Sequence, residues 1–349
     1  MKQLQDIQLA TGAIFEEENQ IPVSFGNDLE AWEAAKSGVA LSDRSHCTLL
    51  EIADDDRLQF IHNQSTNNIK SLKPGQSCDT VFVNSTARTI DLATIYATDN
   101  SLLSLNSPHQ SEQLLPWLDK YLFPMDRVKL KDISAEFAIF TLIGAESNAL
   151  LEKVGIAEII SQPENSHQVV TLAETEIRIA VGCSLALPGY TLFIPRNQGV
   201  KIWEKLTANQ AIPLGDRVWE KLRITQGRPM PGIELTEDYN PLEAGLWQTI
   251  SFDKGCYIGQ ETIARLNTYQ GVKQRLWGVK LDGKVEPGTK VTVGESKVGV
   301  LTSYAETPTG NFGLAYVRTK AGGAGLKVNV GEVAGELVAV PFLKHEYYQ

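Results

Sequence analysis

The sequence lacks long apolar runs and the features of a secreted protein. No stretch approaches the ~18 apolar residues of a membrane helix, and the longest, such as 137–144, have the length of a strand. The N-terminal segment 1–20 is too polar for a signal peptide and too acidic for a typical transit peptide. We therefore expect a cytoplasmic protein without a membrane partner. A removed organellar presequence stays an open alternative.

Cysteine and histidine are few and scattered. The four cysteines, Cys47, Cys78, Cys183 and Cys256, are separated by 31, 105 and 73 residues, and the five histidines are dispersed. No CxxC pair occurs, and the gaps match no zinc or iron–sulfur template. We expect neither a metal ion held by the protein nor a disulfide framework.

Basic residues are fewer than acidic residues. The net charge is −10, but it is uneven: residues 1–269 carry 22 basic and 35 acidic side chains, whereas residues 270–349 carry 10 and 7. The step from −13 to +3 predicts a domain boundary near residue 270, giving domains 1–269 and 270–349. The acidic bulk argues against direct nucleic-acid binding, which needs a clustered basic surface. It leaves room for a local basic pocket that holds a small anion.

Helical and strand patterns alternate twice before residue 230, which indicates a duplicated α+β unit. The pair Ser107-Pro108 predicts the start of a helix, and Gly155 predicts the end of another. From Leu276 onward, short β-type runs are separated by turns containing glycine or proline. They predict an all-β barrel or sandwich of about six strands.

The segment 254–261, KGCYIGQE, concentrates reactive residue types. A lysine two residues from a cysteine can stabilise the thiolate, so Lys254 and Cys256 are predicted catalytic residues. Flanking glycines permit unusual backbone angles and close approach of a ligand. No histidine is near Cys256 in the sequence, so a Cys–His hydrolase pair is not supported. The alternative is a small buried cysteine beside a solvated lysine.

These residues carry a resemblance. The octapeptide resembles the K-G-C-[FY]-x-G-Q-E motif of the YgfZ-type folate-binding proteins, relatives of the glycine-cleavage T-protein, an aminomethyltransferase. Residues 222–227 and 240–246 resemble two further stretches that both branches share, and residues 50–52 and 60–67 resemble the family's first strand and helix. The match covers most of the chain.

The resemblance implies a fold and a role. The fold is a duplicated ferredoxin-like α+β body that binds folate, with a C-terminal β-barrel closing a central channel between three lobes. The role is to support assembly or repair of iron–sulfur enzymes, with tetrahydrofolate as cofactor and an indirect effect on tRNA modification. We expect folate and iron–sulfur enzymes or assembly proteins as partners of a monomer.

The resemblance also implies ligand-binding residues. Asp91 is a candidate for the folate N5/N10 region, although aminomethyltransferases carry two acids there. Their pteridine-binding acid is missing from segment 185–192. An unpaired buried donor costs about 1–3 kcal/mol, so this loss favours the YgfZ-type branch. The other candidates, with Tyr190 and Trp247 expected to stack on the pterin, are Arg223, Tyr190, Trp247, Tyr257, Gly259, Gln260 and Glu261.

Two alternative functions stay open. The shared architecture and Asp91 favour a folate-dependent aminomethyltransferase or another one-carbon transferase. A non-folate interaction protein that retains the fold is the other alternative, because fold does not determine function. For single residues, the ordinary alternatives are a surface salt bridge at Arg223 and helix capping at Gln260 and Glu261.

Overall fold

The computed structural model describes residues 2–16 and 20–348. The helices of this described part are α1 (Lys2–Ala10), α2 (Asp28–Ser37), α3 (Arg57–Gln64), α4 (Ser111–Asp119), α5 (Ser147–Val154), α6 (Gly199–Thr207), α7 (Asp216–Gln226) and α8 (Gln260–Thr268).

The strands of the first half are β1 (Ala40–Asp43), β2 (Cys47–Ala53), β3 (Ser77–Val83), β4 (Thr89–Ala97), β5 (Ser101–Pro108), β6 (Lys129–Asp132), β7 (Phe137–Ile143), β8 (His167–Leu172), β9 (Thr175–Val181) and β10 (Gly189–Pro195). Those of the second half are β11 (Ile212–Leu214), β12 (Gln274–Leu281), β13 (Lys290–Val293), β14 (Ser296–Thr307), β15 (Gly310–Arg318), β16 (Lys327–Val330) and β17 (Val333–Val338).

The strands form two open sheets and one barrel. One sheet has the order β11-β1-β7-β10-β9-β8, and the other has the order β3-β4-β5-β2-β6. The six strands β12-β15-β14-β13-β16-β17 close into a barrel. Closure removes the exposed edges that short antiparallel strands would otherwise present. The prediction of an α+β body followed by a six-stranded barrel is confirmed.

The described chain divides into two compact units, each built from several segments. Unit 1 comprises residues 1–57, 72–78 and 94–220, and unit 2 comprises residues 58–71, 79–93 and 221–349. The predicted domain boundary near residue 270 stays a prediction, since the units are not continuous in sequence.

Unit 1 has its apolar core on the six-stranded sheet. Strand β7, with the sequence FAIFTLI, is buried at all but its first residue, as is typical of a strand covered on both faces. Helix α6 buries Ile202, Trp203 and Leu206, the apolar stripe that its 3.6-residue period creates. Helix α5 ends at Gly155, which adopts a left-handed conformation with φ of 90°, as predicted.

The predicted helix start at Ser107-Pro108 is wrong. Strand β5 continues through Pro108, which pairs with Cys47 of β2. The chain then turns at His109, whose φ is +58°, and helix α4 begins at Ser111. Ladder pairing with β2 therefore extends the strand over residues whose local preference is for a helix start.

Unit 2 contains the barrel, whose interior is filled by aliphatic side chains such as Leu301, Val317 and Leu337. A second apolar cluster of unit 2 combines β3, β4 and α7 residues with barrel residues, including Val81, Leu92, Ile224 and Leu314. This cluster fixes helix α7 and the segment that follows it, where most of the predicted site residues lie.

Candidate functional site

The Lys254 ammonium group lies inside a ring of backbone carbonyls. Its Nζ donates to the carbonyl oxygens of His62 at 2.5 Å, Ser65 at 2.7 Å and Asn67 at 2.7 Å. The residue is 7% exposed, and Nζ lies 4.5 Å from the centre of the Tyr257 ring. Three donors thus meet three acceptors, so burial of this charge is compensated.

These carbonyls lie at and beyond the C-terminal end of α3, where a helix leaves acceptors unsatisfied and favours a positive charge. The Ile258 amide donates to a fourth carbonyl there, that of Asn63, at 2.9 Å. The 254–258 segment is therefore attached to the end of α3 on both sides of Cys256. Gly255 and Cys256 themselves are exposed.

The rest of the octapeptide turns the chain into helix α8. Gly259 has φ of +79°, and a Cβ added there would lie 3.0 Å from the Asn84 carbonyl oxygen and the Ala87 Cα, so glycine is required by conformation and by space. Gln260 Oε1 accepts the Tyr257 amide at 3.3 Å. Glu261 is exposed in the first turn of α8, where the helix dipole favours an acid.

Tyr257 is 9% exposed and belongs to an apolar cluster with Trp247 and Ile263. Burial raises the pKa of its hydroxyl, so the neutral phenol is the form present. Its ring lies against the Lys254 ammonium. Ligand contact by Tyr257, Gly259, Gln260 and Glu261 stays a prediction, while their contacts within the protein shape the loop.

A cavity of about 520 Å³ opens beside Cys256. Its lining comes from helix α3, from the short segment after it and from the Cys256 loop, and it includes His62, Lys70 and Asp253. His62 is 194 residues from Cys256 in sequence, which is why the sequence did not suggest a pairing of the two. Both residues belong to unit 2.

His62 is a neutral hydrogen-bond donor. Burial first, and then the charges of Lys254 and Lys70, lower its pKa to about 4. Its Nδ1 accepts the Lys70 amide at 3.3 Å, which leaves the ring proton on Nε2. In this state Nε2 donates and has no lone pair for a proton, so His62 does not serve as a base for the thiol through that atom.

Acidification should therefore destabilise the protein. The folded pKa of His62, about 4, lies below the ordinary value of about 6.5. Between these values the unfolded chain binds a proton that the folded chain does not. The contribution of His62 to the free energy of unfolding is therefore fully present above pH 6.5. It is lost as the pH falls through 4, by up to ~1.4 kcal/mol per pH unit for one such histidine.

Urea unfolding at pH 7, 6 and 5 checks this expectation. His62→Gln should make the free energy of unfolding depend less on pH. His109→Asn, at an exposed histidine with positive φ, should leave the pH dependence unchanged. Equal slopes in the wild type and His62→Gln would contradict the assignment. Burial likewise lowers the pKa of His167 and His345 to about 4, so the slope should persist in part.

Arg223 lies at the centre of a buried polar network. Both Arg223 and Glu234 are 0% exposed, and Nη1 lies 3.0 Å from Glu234 Oε2. Nη1 also donates to the Arg228 carbonyl at 2.9 Å, and Nη2 donates to Ser303 Oγ at 2.9 Å. The network connects helix α7 with the following loop and with barrel strand β14. Folate contact by Arg223 stays a prediction; the ordinary surface salt bridge considered above is wrong.

Asp91 is fully buried in strand β4. Its Oδ1 accepts the Leu92 amide at 2.8 Å. Arg228, also buried, donates from Nη2 to the Leu92 carbonyl at 3.5 Å. A buried carboxylate and a buried guanidinium therefore contact the backbone of the same residue, Leu92, in unit 2. Arg228 was missed in the sequence, where its only signal is its place in a glycine- and proline-rich segment.

The two predicted stacking residues pack inside the protein. The Trp247 ring is 7% exposed and makes an edge contact with Tyr347 at 5.7 Å, and the Arg275 guanidinium lies 5.5 Å from its centre. Tyr190, in unit 1, is 4% exposed and donates its hydroxyl to Asn148 Oδ1 at 2.6 Å. Stacking of either ring on a pterin stays a prediction.

Two kinds of feature are absent from the described residues. Within residues 2–16 and 20–348, no three His, Cys, Asp or Glu side chains are grouped so that they could hold a metal ion. In the same part of the chain, no helix has the length and apolar character needed to span a membrane.

Two known protein families have models that match this chain. The family model of the GCVT N-terminal domain matches residues 4–254, more than half of the chain. The chain belongs to the GCVT family. A second model, that of the CAF17 C-terminal beta-barrel domain, matches residues 273–341. The chain is thus a GCVT-family member whose barrel is of the CAF17 type.

Several relatives are similar over nearly the full length. A chloroplastic protein of Arabidopsis thaliana, whose name assigns it to the transferases without a substrate, is 43% identical over 333 residues, 95% of this chain and 77% of that protein. An aminomethyltransferase of Bacillus pumilus is 28% identical over 340 residues, 93% of each chain.

A solved structure supports the same fold. The crystal structure of the glycine cleavage system aminomethyltransferase T from Bartonella henselae aligns with a TM-score of 0.86 at 18% identity, covering 99% of this chain and 98% of that chain. At this identity the likeness speaks to the fold alone. The predicted aminomethyltransferase-like body with a C-terminal β-barrel is confirmed.

Proposed function

We propose that this GCVT-family chain is a YgfZ-type protein that binds a tetrahydrofolate and supports assembly or repair of iron–sulfur enzymes through Cys256. The observation that carries the proposal is the loop in which Lys254 and Ile258 are fastened to the end of α3 and Cys256 is presented between them. A cysteine whose role is only to fill a core would be buried; this one is exposed beside a cavity.

The residues of unit 2 fit a reduced folate in part. Asp91 offers a buried carboxylate, an acceptor for an N–H group of the N5/N10 region of a reduced folate. When bound, the folate would supply a one-carbon carrier. Asp91 would accept a hydrogen bond from it, and Arg228 would place a positive charge near the Asp91–Leu92 segment.

Folate binding is tested by titrating the purified protein with tetrahydrofolate and following tryptophan fluorescence or heat. We expect saturable micromolar binding. Asp91→Asn keeps the shape but removes the charge, and should weaken binding by about 10- to 100-fold, the equivalent of one charge-assisted hydrogen bond. Absence of wild-type binding at millimolar folate would contradict the folate proposal.

The role of Cys256 is tested by complementation. Cys256→Ala should fail to restore iron–sulfur enzyme activity in a strain that lacks its own homologue. Cys47→Ala changes a half-buried cysteine of unit 1 and should restore it. Full restoration by Cys256→Ala, at equal protein level, would overturn the proposal. Any tRNA modification defect should follow the activity of the iron–sulfur modifying enzyme.

One specific observation favours a second function. The similarity to aminomethyltransferases covers 93% of the chain, so transfer of a one-carbon unit to folate is the alternative. Formation of methylenetetrahydrofolate from a lipoylated aminomethyl carrier would support it, and no product at high protein concentration would reject it. The compartment, cytoplasm or chloroplast as in the Arabidopsis relative's name, is decided by locating the tagged chain.

A further inference from the structure

The cavity beside Cys256 combines a nucleophilic sulfur with anion-binding groups. Its charged side chains are Lys70, Lys254 and Asp253, two cations and one anion, for a net charge of +1. The chain as a whole carries −10. This local excess of positive charge selects for a small anion over a cation.

The histidine at this cavity points to the same kind of ligand. His62 is 5% exposed, and it lines the cavity. With Nδ1 engaged by the Lys70 amide, the ring proton on Nε2 is not used by that bond. Because His62 lines the cavity, a ligand held there can accept a hydrogen bond from Nε2–H.

The two lysines have different tasks. Lys254 donates to three carbonyls, so its charge contributes but its donors are used. Lys70 has an exposed side chain, and its charge lies near enough to His62 to lower the pKa of that ring. Lys70 and the His62 Nε2–H are therefore the groups available to a carboxylate or another anionic acceptor.

We propose that this cavity binds a small anionic disulfide and that Cys256 exchanges with it. The proposal deepens the proposed function, because it names a substrate class for the same cysteine. Lys70 and His62 would hold an anionic group of the ligand while the exposed Cys256 reaches its sulfur.

The exchange balances without another reactant. The Cys256 thiolate attacks one sulfur of the disulfide, so a bond forms between Cys256 Sγ and that sulfur while the disulfide bond of the ligand breaks. The departing thiolate takes up the proton that the Cys256 thiol released. Cys256 is oxidised to the mixed disulfide, and the departing half is reduced to a thiol.

The test uses three small disulfides with the full-length reduced protein: oxidised glutathione (anionic), hydroxyethyl disulfide (neutral) and cystamine (cationic). Intact-mass spectrometry gives the rate of adduct formation, and Cys256→Ser identifies the adduct at Cys256. We expect oxidised glutathione to react about tenfold faster than cystamine at low salt. At 0.5 M salt, where charges are screened within a few Å, the ratio should fall below about threefold.

Lys70→Gln changes an exposed side chain and should leave folding intact. It should slow the reaction with oxidised glutathione by about three- to tenfold and leave that with hydroxyethyl disulfide unchanged. Lys284→Gln, at an exposed lysine outside the cavity lining, is the matched control and should react as the wild type. His62→Gln, checked for folding, should also lose the preference for the anion.

The outcomes separate the inference from the proposed function. Equal rates with the three disulfides, or identical effects of Lys70→Gln and Lys284→Gln, would overturn the inference even where Cys256→Ala still fails to complement. A faster reaction with oxidised glutathione that Lys70→Gln slows would support the inference, even where Cys256→Ala complements fully. In that case only the proposed function would be overturned.

Discussion

Replacing Glu234 with leucine is expected to cost about 3–5 kcal/mol of unfolding free energy, the cost typical of breaking a buried ion pair by removing one partner. The variant removes the Glu234 carboxylate, which lies 3.0 Å from an Arg223 guanidinium that is 0% exposed. It also removes the acceptors of the Met230 amide and the Ser303 hydroxyl, now at 3.2 and 2.5 Å from the Glu234 carboxylate. The first of these bonds is partly buried and the second is buried, so their loss adds to the cost.

The barrel contains a matched control. Lys327 and Glu336 form an ion pair of 2.6 Å, shorter than the Arg223–Glu234 pair, but their side chains are 80% and 39% exposed. Exposed pairs contribute about 0–1 kcal/mol, so Glu336→Leu should change stability by less than about 1 kcal/mol. Urea unfolding, followed by tryptophan fluorescence, measures both variants.

A double variant separates the lost counter-charge from lost packing. Arg223→Met with Glu234→Leu removes both charges and should recover part of the loss, because a buried pair can be replaced by apolar side chains at little cost. The explanation would be contradicted if Glu234→Leu cost no more than Glu336→Leu, or if the double variant were less stable than both single variants.

Much of the fold follows from local sequence patterns. Strand β7 lies within the apolar run 137–144, whose strand length was evident from the sequence, and it ends before the turn residue Gly144. The barrel follows from short runs separated by glycine. The start of α4 does not follow from local patterns. Pro108 belongs to strand β5 because it pairs with Cys47, which is 61 residues away in the sequence.

Only part of the candidate site could likewise be predicted from the sequence. The octapeptide identified Cys256 and its neighbours because reactive residues and glycines are adjacent in sequence. It gave no sign of the carbonyl acceptors of Lys254, which are backbone atoms 187 to 192 residues away. His62 and Arg228 were missed for the same reason: their significance comes from neighbours that only the folded chain provides.

The burial of Lys254 changes the expected effect of its removal. A lysine that acts only on the neighbouring thiol would leave the fold intact when replaced, but this ammonium group satisfies three carbonyls. Lys254→Met should therefore destabilise the protein by about 3 kcal/mol, at about 1 kcal/mol for each acceptor left unpaired. It should also abolish complementation as completely as Cys256→Ala, because the loop would leave the end of α3.

Hydrogen exchange at the Ile258 amide distinguishes positioning from an effect on the thiol. This amide donates to the Asn63 carbonyl, so its protection reports whether the Cys256 loop stays fastened. Protection should fall at least tenfold in Lys254→Met. It should remain in Cys256→Ala, which keeps the Lys254 ammonium group and its three carbonyl acceptors. Lys344→Met, at an exposed lysine, is the control for loss of charge. If Lys254→Met kept both its stability and this protection and lost only thiol reactivity, Lys254 would act on the sulfur and not through the loop.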